Sequence, residues 1–184
     1  MKKIISVIFI AAFLFACNDA KKDEKATTEV KTENGKAPVE LIMDSNLVNA
    51  TKAAMTAFEN KDVNGYTANM DDNVMFRWSG GDSLVGKKAV QDYYASRYNI
   101  IDNIKFSNHI FLPVMANASP NAGVTSTGKW MLHWYMVDVK YKNGKAINFW
   151  AHNAQHYNEA GKIDQFTQYI DRHPIMEASK DLVK

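Results

Sequence analysis

Residues 130–157 read WMLHWYMVDVKYKNGKAINFWAHNAQHY, two aromatic-rich runs separated by Asn143-Gly144. Alternating runs bounded by turn residues argue for β-strands, and an Asn-Gly pair between them is the strongest short hairpin signal. A two-residue loop at that pair sets the register, so Lys142 is expected opposite Lys145, Met136 opposite Ala151, Trp134 opposite Asn153 and Leu132 opposite Gln155. One face of the hairpin then carries Trp130, Leu132, Trp134, Met136, Asp138, Phe149, Ala151, Asn153, Gln155 and Tyr157. The other carries Met131, His133, Tyr135, Val137, Val139, Asn148, Trp150, His152, Ala154 and His156. His152 and His156 share a face but stand ~13 Å apart along a strand, too far for one metal ion. His133 lies diagonal to both and adds at most a second ligand, so the pattern argues against a metal site and points to no cofactor. Both faces are rich in large side chains, which implies that both are covered: one by helices, the other by a partner subunit.

Working toward the N-terminus, the period changes from two to that of a helix. Asp44 or Ser45 caps a helix with the stripe Leu47, Ala50, Ala54 and Phe58, and Asp62 caps a shorter one carrying Val63, Tyr66 and Met70. VMFRW (74–78) is a short strand, SGGDSLVG (79–86) a turn-rich return, and Lys87 to Tyr98 a third helix with Val90, Tyr93, Tyr94 and Arg97 on one side. IKFSNHIFLPVM (104–115) is a strand that Pro113 bends or pushes toward an edge. Beyond the hairpin, NEAG (158–161) turns into KIDQFTQYID (162–171), where alternation makes Phe166, Gln168 and Ile170 the inward set. Helices first and a meander of antiparallel strands after them predict an α+β domain over residues 41–174, with residues 175–184 as a tail that either forms a final short helix or frays.

The N-terminal 40 residues are of another kind. MKKIISVIFIAAFLFA (1–16) places two lysines before an apolar run too short to span a bilayer, the pattern of a signal peptide. LFAC (14–17) resembles a bacterial lipobox, which implies lipid attachment at Cys17, the single cysteine of the chain. Residues 17–40 then form a mixed-charge tether without an aromatic, Leu or Ile, reaching ~25–30 Å if flexible. KKDE (21–24) is similar to the export signals that carry some Bacteroidetes lipoproteins to the cell surface. The expected location is therefore the outer membrane, held by a lipid anchor only. Without Lys2 and Lys3 the chain has 20 basic and 20 acidic residues, a balance that offers nucleic acid no electrostatic footing.

From Leu47 to Asp171 the order of elements resembles the nuclear transport factor 2 superfamily, in its SnoaL-like and ketosteroid isomerase-like branches. The carriers are ENKDVNGYTANMDDNVMF (59–76), LVGKKAVQDYYAS (84–96) and HYNEAGKIDQF (156–166). The resemblance implies a curved antiparallel sheet wrapped by three helices into a cone, with a pocket at the wide end. It also implies a homodimer through the outer sheet face, here Met131, His133, Tyr135, Trp150, His152 and His156. In the isomerases a tyrosine and a protonated acid form an oxyanion hole and an aspartate moves the proton. Those positions fall on Ala54, Asn153 and Arg77, while Tyr94 matches a supporting tyrosine. Alanine donates nothing and arginine is no general base, so steroid isomerase chemistry is rejected. Asp138, Asp171 and Asn153 remain as weak catalytic candidates.

The expected pocket lining is Trp78, Tyr94, Trp130, Trp134, Met136, Phe149, Asn153, Gln155, Phe166, Gln168 and Ile170. Aromatic walls with a few amides suit a small neutral amphipathic ligand. Three readings follow: a lipid-anchored ligand binder, an enzyme of the superfamily (isomerase, dehydratase, cyclase or hydrolase) with an unassigned acid or base, and a dimeric interaction protein with a filled cone.

Overall fold

The computed structural model describes residues 35–118 and 126–183. The expectations for the signal peptide, for Cys17 and for most of the tether lie outside the described residues. Strand β1 (Val39–Leu41) sits within the stretch expected to be tether and pairs with the end of β4 (Ile101–Ala116). Helices α1 (Ser45–Glu59) and α2 (Val63–Tyr66) follow, then β2 (Met70–Trp78), β3 (Ser83–Val85) and α3 (Lys87–Tyr98). The meander after β4 is β5 (Gly128–Tyr141), β6 (Ala146–Tyr157) and β7 (Ile163–Tyr169), and a fourth helix, α4 (Arg172–Ser179), closes the sequence of elements. One seven-stranded sheet results, in the order β1-β4-β5-β6-β7-β2-β3, antiparallel except where β2 runs parallel to β7. Among the described residues no helix is long and apolar enough to cross a membrane.

The caps fall where short polar side chains can reach the free N–H groups of a first turn. Asp44 Oδ1 accepts from Asn46 N (3.1 Å) and Leu47 N (3.3 Å), and Asp62 Oδ1 accepts from Gly65 N at 3.0 Å. Asp44 also meets Lys129 at 2.8 Å, tying the start of α1 to the start of β5; that hydrogen bond holds the Asp44 carboxyl below the usual range. The apolar stripe of α1 then delivers Leu47, Met55 and Phe58 to the sheet. Phe58 is the hub of an edge-to-face cluster, with ring centroids 4.8 Å from Tyr66, 5.1 Å from Tyr94, 5.1 Å from Tyr98 and 5.5 Å from Phe106. Such pairs add ~0.5–1.5 kcal/mol each beyond the area they bury. Across the parallel β2–β7 pair, Phe76 stacks on Phe166 at 4.5 Å.

The hairpin turn differs from the expected one. Gly144 N donates to Tyr141 O (2.9 Å) and Tyr141 N to Lys145 O (2.8 Å), so the loop has three residues, Lys142 to Gly144. This is a tight turn followed by a left-handed residue, Gly144 at φ +84°, with Asn143 second in the loop, where a two-residue loop would have it first. The extra loop residue slips β5 by one against β6: Tyr135 faces Ala151, His133 faces Asn153 and Trp134 faces His152. Because side chains alternate with period two, a slip of one inverts a whole strand. Met131, His133, Tyr135, Val137 and Val139 are therefore the buried inner set of β5, and Trp130, Leu132, Trp134, Met136 and Asp138 lie on the outer face. On β6 the inner residues are as expected, with Ala151, Asn153, Gln155 and Tyr157 buried.

Candidate ligand-binding site

Between the concave face of the sheet and the helices lies a cavity of about 140 Å³. Its inner walls are Met55 and Phe58 from α1, Tyr66 from α2, Tyr94 from α3, and Phe106, Tyr135, Val137, Ala151 and Asn153 from the sheet. Its outer walls are Tyr93 and Arg97, the hairpin-end residues Tyr141 and Phe149, and Arg172, Ile175 and Met176 of α4. The C-terminal residues expected as a tail thus form a structured wall. Asp171 caps α4 by accepting from His173 N at 2.9 Å, which accounts for an aspartate at the end of β7 and leaves it exposed.

The expected lining divides into three groups. Trp78, Tyr94, Phe149, Asn153, Gln168 and Ile170 border the cavity. Gln155 and Phe166 point inward but are packed beside it, Gln155 accepting from Tyr157 Oη at 3.2 Å and Phe166 covered by Phe76. Trp130, Trp134 and Met136 do not belong to the lining, because the one-residue slip puts them on the outer face. Asp138 is exposed on that face and cannot serve the cavity. Of the positions aligned with isomerase chemistry, Ala54 packs against the core and Arg77 is exposed on β2.

The same slip brings Tyr135, expected on the outer face, into the site. Tyr135 is buried in the floor, and its hydroxyl oxygen accepts from Asn153 Nδ2 (3.1 Å) and Gln168 Nε2 (3.3 Å). Gln168 Oε1 in turn accepts from Trp78 Nε1 (3.1 Å) and Tyr94 Oη (3.4 Å). Burial pushes the Tyr135 phenol up to about 12, against a smaller opposite pull from the two amides, so it is a neutral donor at any physiological pH. Burial also raises Tyr66 and Tyr94 well above the ordinary tyrosine range. Asn153 Oδ1 is buried without a protein partner. A buried polar atom left unpaired is uncommon, and this one belongs to a residue that borders the cavity. The floor thus presents one hydroxyl donor and one amide acceptor side by side. No Asp, Glu or His borders the cavity among the described residues.

The histidines lie elsewhere. His133 is fully buried on the inner face, where it accepts or donates a 3.0 Å bond with His109 Nδ1 and stacks on Tyr135 and Phe111. Its expected place on the outer face is corrected by the slip, as are those of Met131 and Tyr135. His152 is outside, sandwiched between Trp134 (4.3 Å) and Tyr169 (5.3 Å). His156 holds Asp164 on one ring nitrogen (2.5 Å) and the Thr127 carbonyl on the other (2.8 Å), leaving no free nitrogen for base catalysis. No cluster of three or more metal-ligating side chains occurs among the described residues.

No protein-family model matches the chain, and no curated protein matches it in sequence. Solved structures do match in shape. An NTF2-like protein of unknown function from Burkholderia pseudomallei superposes with a TM-score of 0.58 at 15% identity, covering 73% of this chain and 98% of that one. A candidate polyketide cyclase from Xanthomonas campestris gives 0.58 at 14% identity, over 73% and 96% of the two chains. An LEH-like epoxide hydrolase from M. tuberculosis gives 0.53 at 13% identity, over 73% and 89%. At these identities the likeness establishes the fold, a cone of curved sheet and helices, and nothing about the reaction.

Proposed function

We propose that this chain, whose fold is nuclear transport factor 2-like, is a lipid-anchored envelope protein that binds one compact, ring-bearing ligand in its cone. The observation that carries the binding half is the floor of the cavity, where a neutral Tyr135 hydroxyl stands beside the unpaired Asn153 Oδ1. Size selects the ligand. Drug-sized pockets run to ~300–1,000 Å³, whereas a cavity of ~150 Å³ accepts benzene. At about 140 Å³ the cone admits a single ring and not a steroid. Proton-transfer chemistry has no support from the walls, since an enzyme of the isomerase kind needs a base near neutrality and the tyrosines here are held far above it.

The partner in this reading is a second copy, docked through the outer face of β4 to β7. Ile110, Trp150 and Tyr169 are exposed there at 55%, 52% and 47%, beside Trp134 and Met136. Attachment at Cys17 completes the proposal; metabolic labelling with palmitate that fails to mark the chain, or marks Cys17→Ser equally, would remove it. The binding half is tested by thermal denaturation in the presence of a panel of one-ring phenols, acids and amides. A ligand at a hundred times its Kd stabilises by ~2.7 kcal/mol, enough to move the midpoint by several degrees. If no member of the panel shifts the midpoint, the reading fails.

A further inference from the structure

The outer walls of the cavity carry positive charge as well as aromatics and amides. Arg97 and Arg172 both border it, and no carboxylate does. Resting on the binding reading above, we propose that the ligand is an anion, a one-ring carboxylate or its equivalent, and that Arg97 takes its negative group while Tyr135 and Asn153 meet the other end of the ring.

The two arginines are not alike. Arg172 is committed: it is ion-paired with Asp82 and lies 5.5 Å from the centroid of the Trp78 ring. Arg97 is half-buried in the last turn of α3, and its neighbour is the hydroxyl of Tyr141, a group that burial keeps protonated. No carboxylate stands within ion-pair distance of Arg97 among the described residues. A guanidinium has five N–H donors and recognises carboxylate in a two-pronged fashion; one phenol oxygen uses only part of that capacity. Holding such a cation half out of water without a counter-charge is unfavourable, and an anion entering the cavity would remove the deficit. A cation in the final turn of a helix is favourable in its own right. That effect explains a basic residue at this point of α3. It does not explain why a cavity wall has two basic groups and no acidic one.

The test uses benzoate and benzamide, which share a ring and differ in charge, with calorimetric titration of the purified protein near pH 7.5. Benzoate is expected to bind about tenfold or more tightly than benzamide, because a charge-assisted bond is roughly twice as strong as a neutral one. Arg97→Gln should erase the preference, weakening benzoate about tenfold more than benzamide. Arg97→Lys should keep most of it, and added salt should narrow it in the native protein. Equal binding of the two probes, or a preference that survives Arg97→Gln, overturns the anion proposal and leaves the cavity reading standing. If neither probe binds, the anion proposal falls, and the cavity reading falls with it when the wider panel is silent as well. Should Arg97→Gln not fold, the lysine variant and the salt titration still decide between these outcomes.

Discussion

Tyr135 accepts two hydrogen bonds from buried amides, so its hydroxyl holds the floor of the cone together as well as facing the cavity. Tyr135→Phe strands both amide donors, which costs ~1–3 kcal/mol when no water reaches them. The expected result is a lower denaturant midpoint together with weaker binding of any one-ring ligand; unchanged binding would separate Tyr135 from the site. His133 gives the chain a pH dependence of definite sign. Burial first, and the neighbouring His109 second, lower its pKa from 6.5 to about 3, so the folded state holds it neutral. The unfolded chain takes up a proton near 6.5. Stability from this residue is therefore complete above that pH and lost as the pH falls toward 3, at up to ~1.4 kcal/mol per pH unit. Urea midpoints measured from pH 7 to 4 should fall less steeply for His133→Gln than for the native protein.

Among the elements, the β5–β6 turn decides most. Gly144 has φ +84° and nothing within 4 Å of where a Cβ would stand. Gly144→Ala should accordingly cost only the strain of a left-handed alanine, ~1–2 kcal/mol, without changing register. A two-residue loop would put Asn143 and Gly144 in other roles and predict a different penalty. The turn was legible in the sequence as a turn, but its length was not, because Asn-Gly serves both a two-residue loop and the end of a three-residue one. The correct register did leave a trace: Asp138, Lys140 and Lys142 alternate with Val137, Val139 and Tyr141, and the charged series belongs outside. β4 holds a second irregularity that sequence alone could not place. Asn108, at φ +52°, and His109 together oppose Tyr135, and this bulge swings His109 onto His133. Bulges of this sort re-aim a side chain at the cost of one ladder position. Both helix caps, by contrast, were readable, since Asp44 and Asp62 each precede an amphipathic run and bond as their chemistry suggests.

At the scale of the molecule, most of the element order from residue 41 to 171 was readable because helical stripes, interrupted by one short strand, run to Tyr98 and alternation follows, and the order is that of a helix-wrapped sheet. The site was half readable. Phe149 and Asn153 of β6, Gln168 of β7 and Ile170 just after it border the cavity, whereas β5 was inverted, exchanging Trp130, Trp134 and Met136 for Tyr135 and Val137. The exchange also alters the surface offered to a second copy, which now includes a stacked row of Trp134, His152 and Tyr169. Trp150→Glu, at the exposed centre of that face, should convert a dimer to monomer in sedimentation velocity without lowering the melting temperature of the monomer. A native protein that already sediments as a monomer at tens of micromolar would remove the proposed interface. α4 has a different kind of hold. Arg172 meets Asp82 near one end of it and Lys145 meets Asp181 just beyond the other, both pairs in reach of solvent ions. At ~0.1 M salt such attractions fade over about 10 Å, while the aromatic contacts beneath are indifferent to salt. The wall that α4 builds over the cone is therefore anchored in part by pairs that dissolved salt loosens, whereas the aromatic floor keeps its hold in brine.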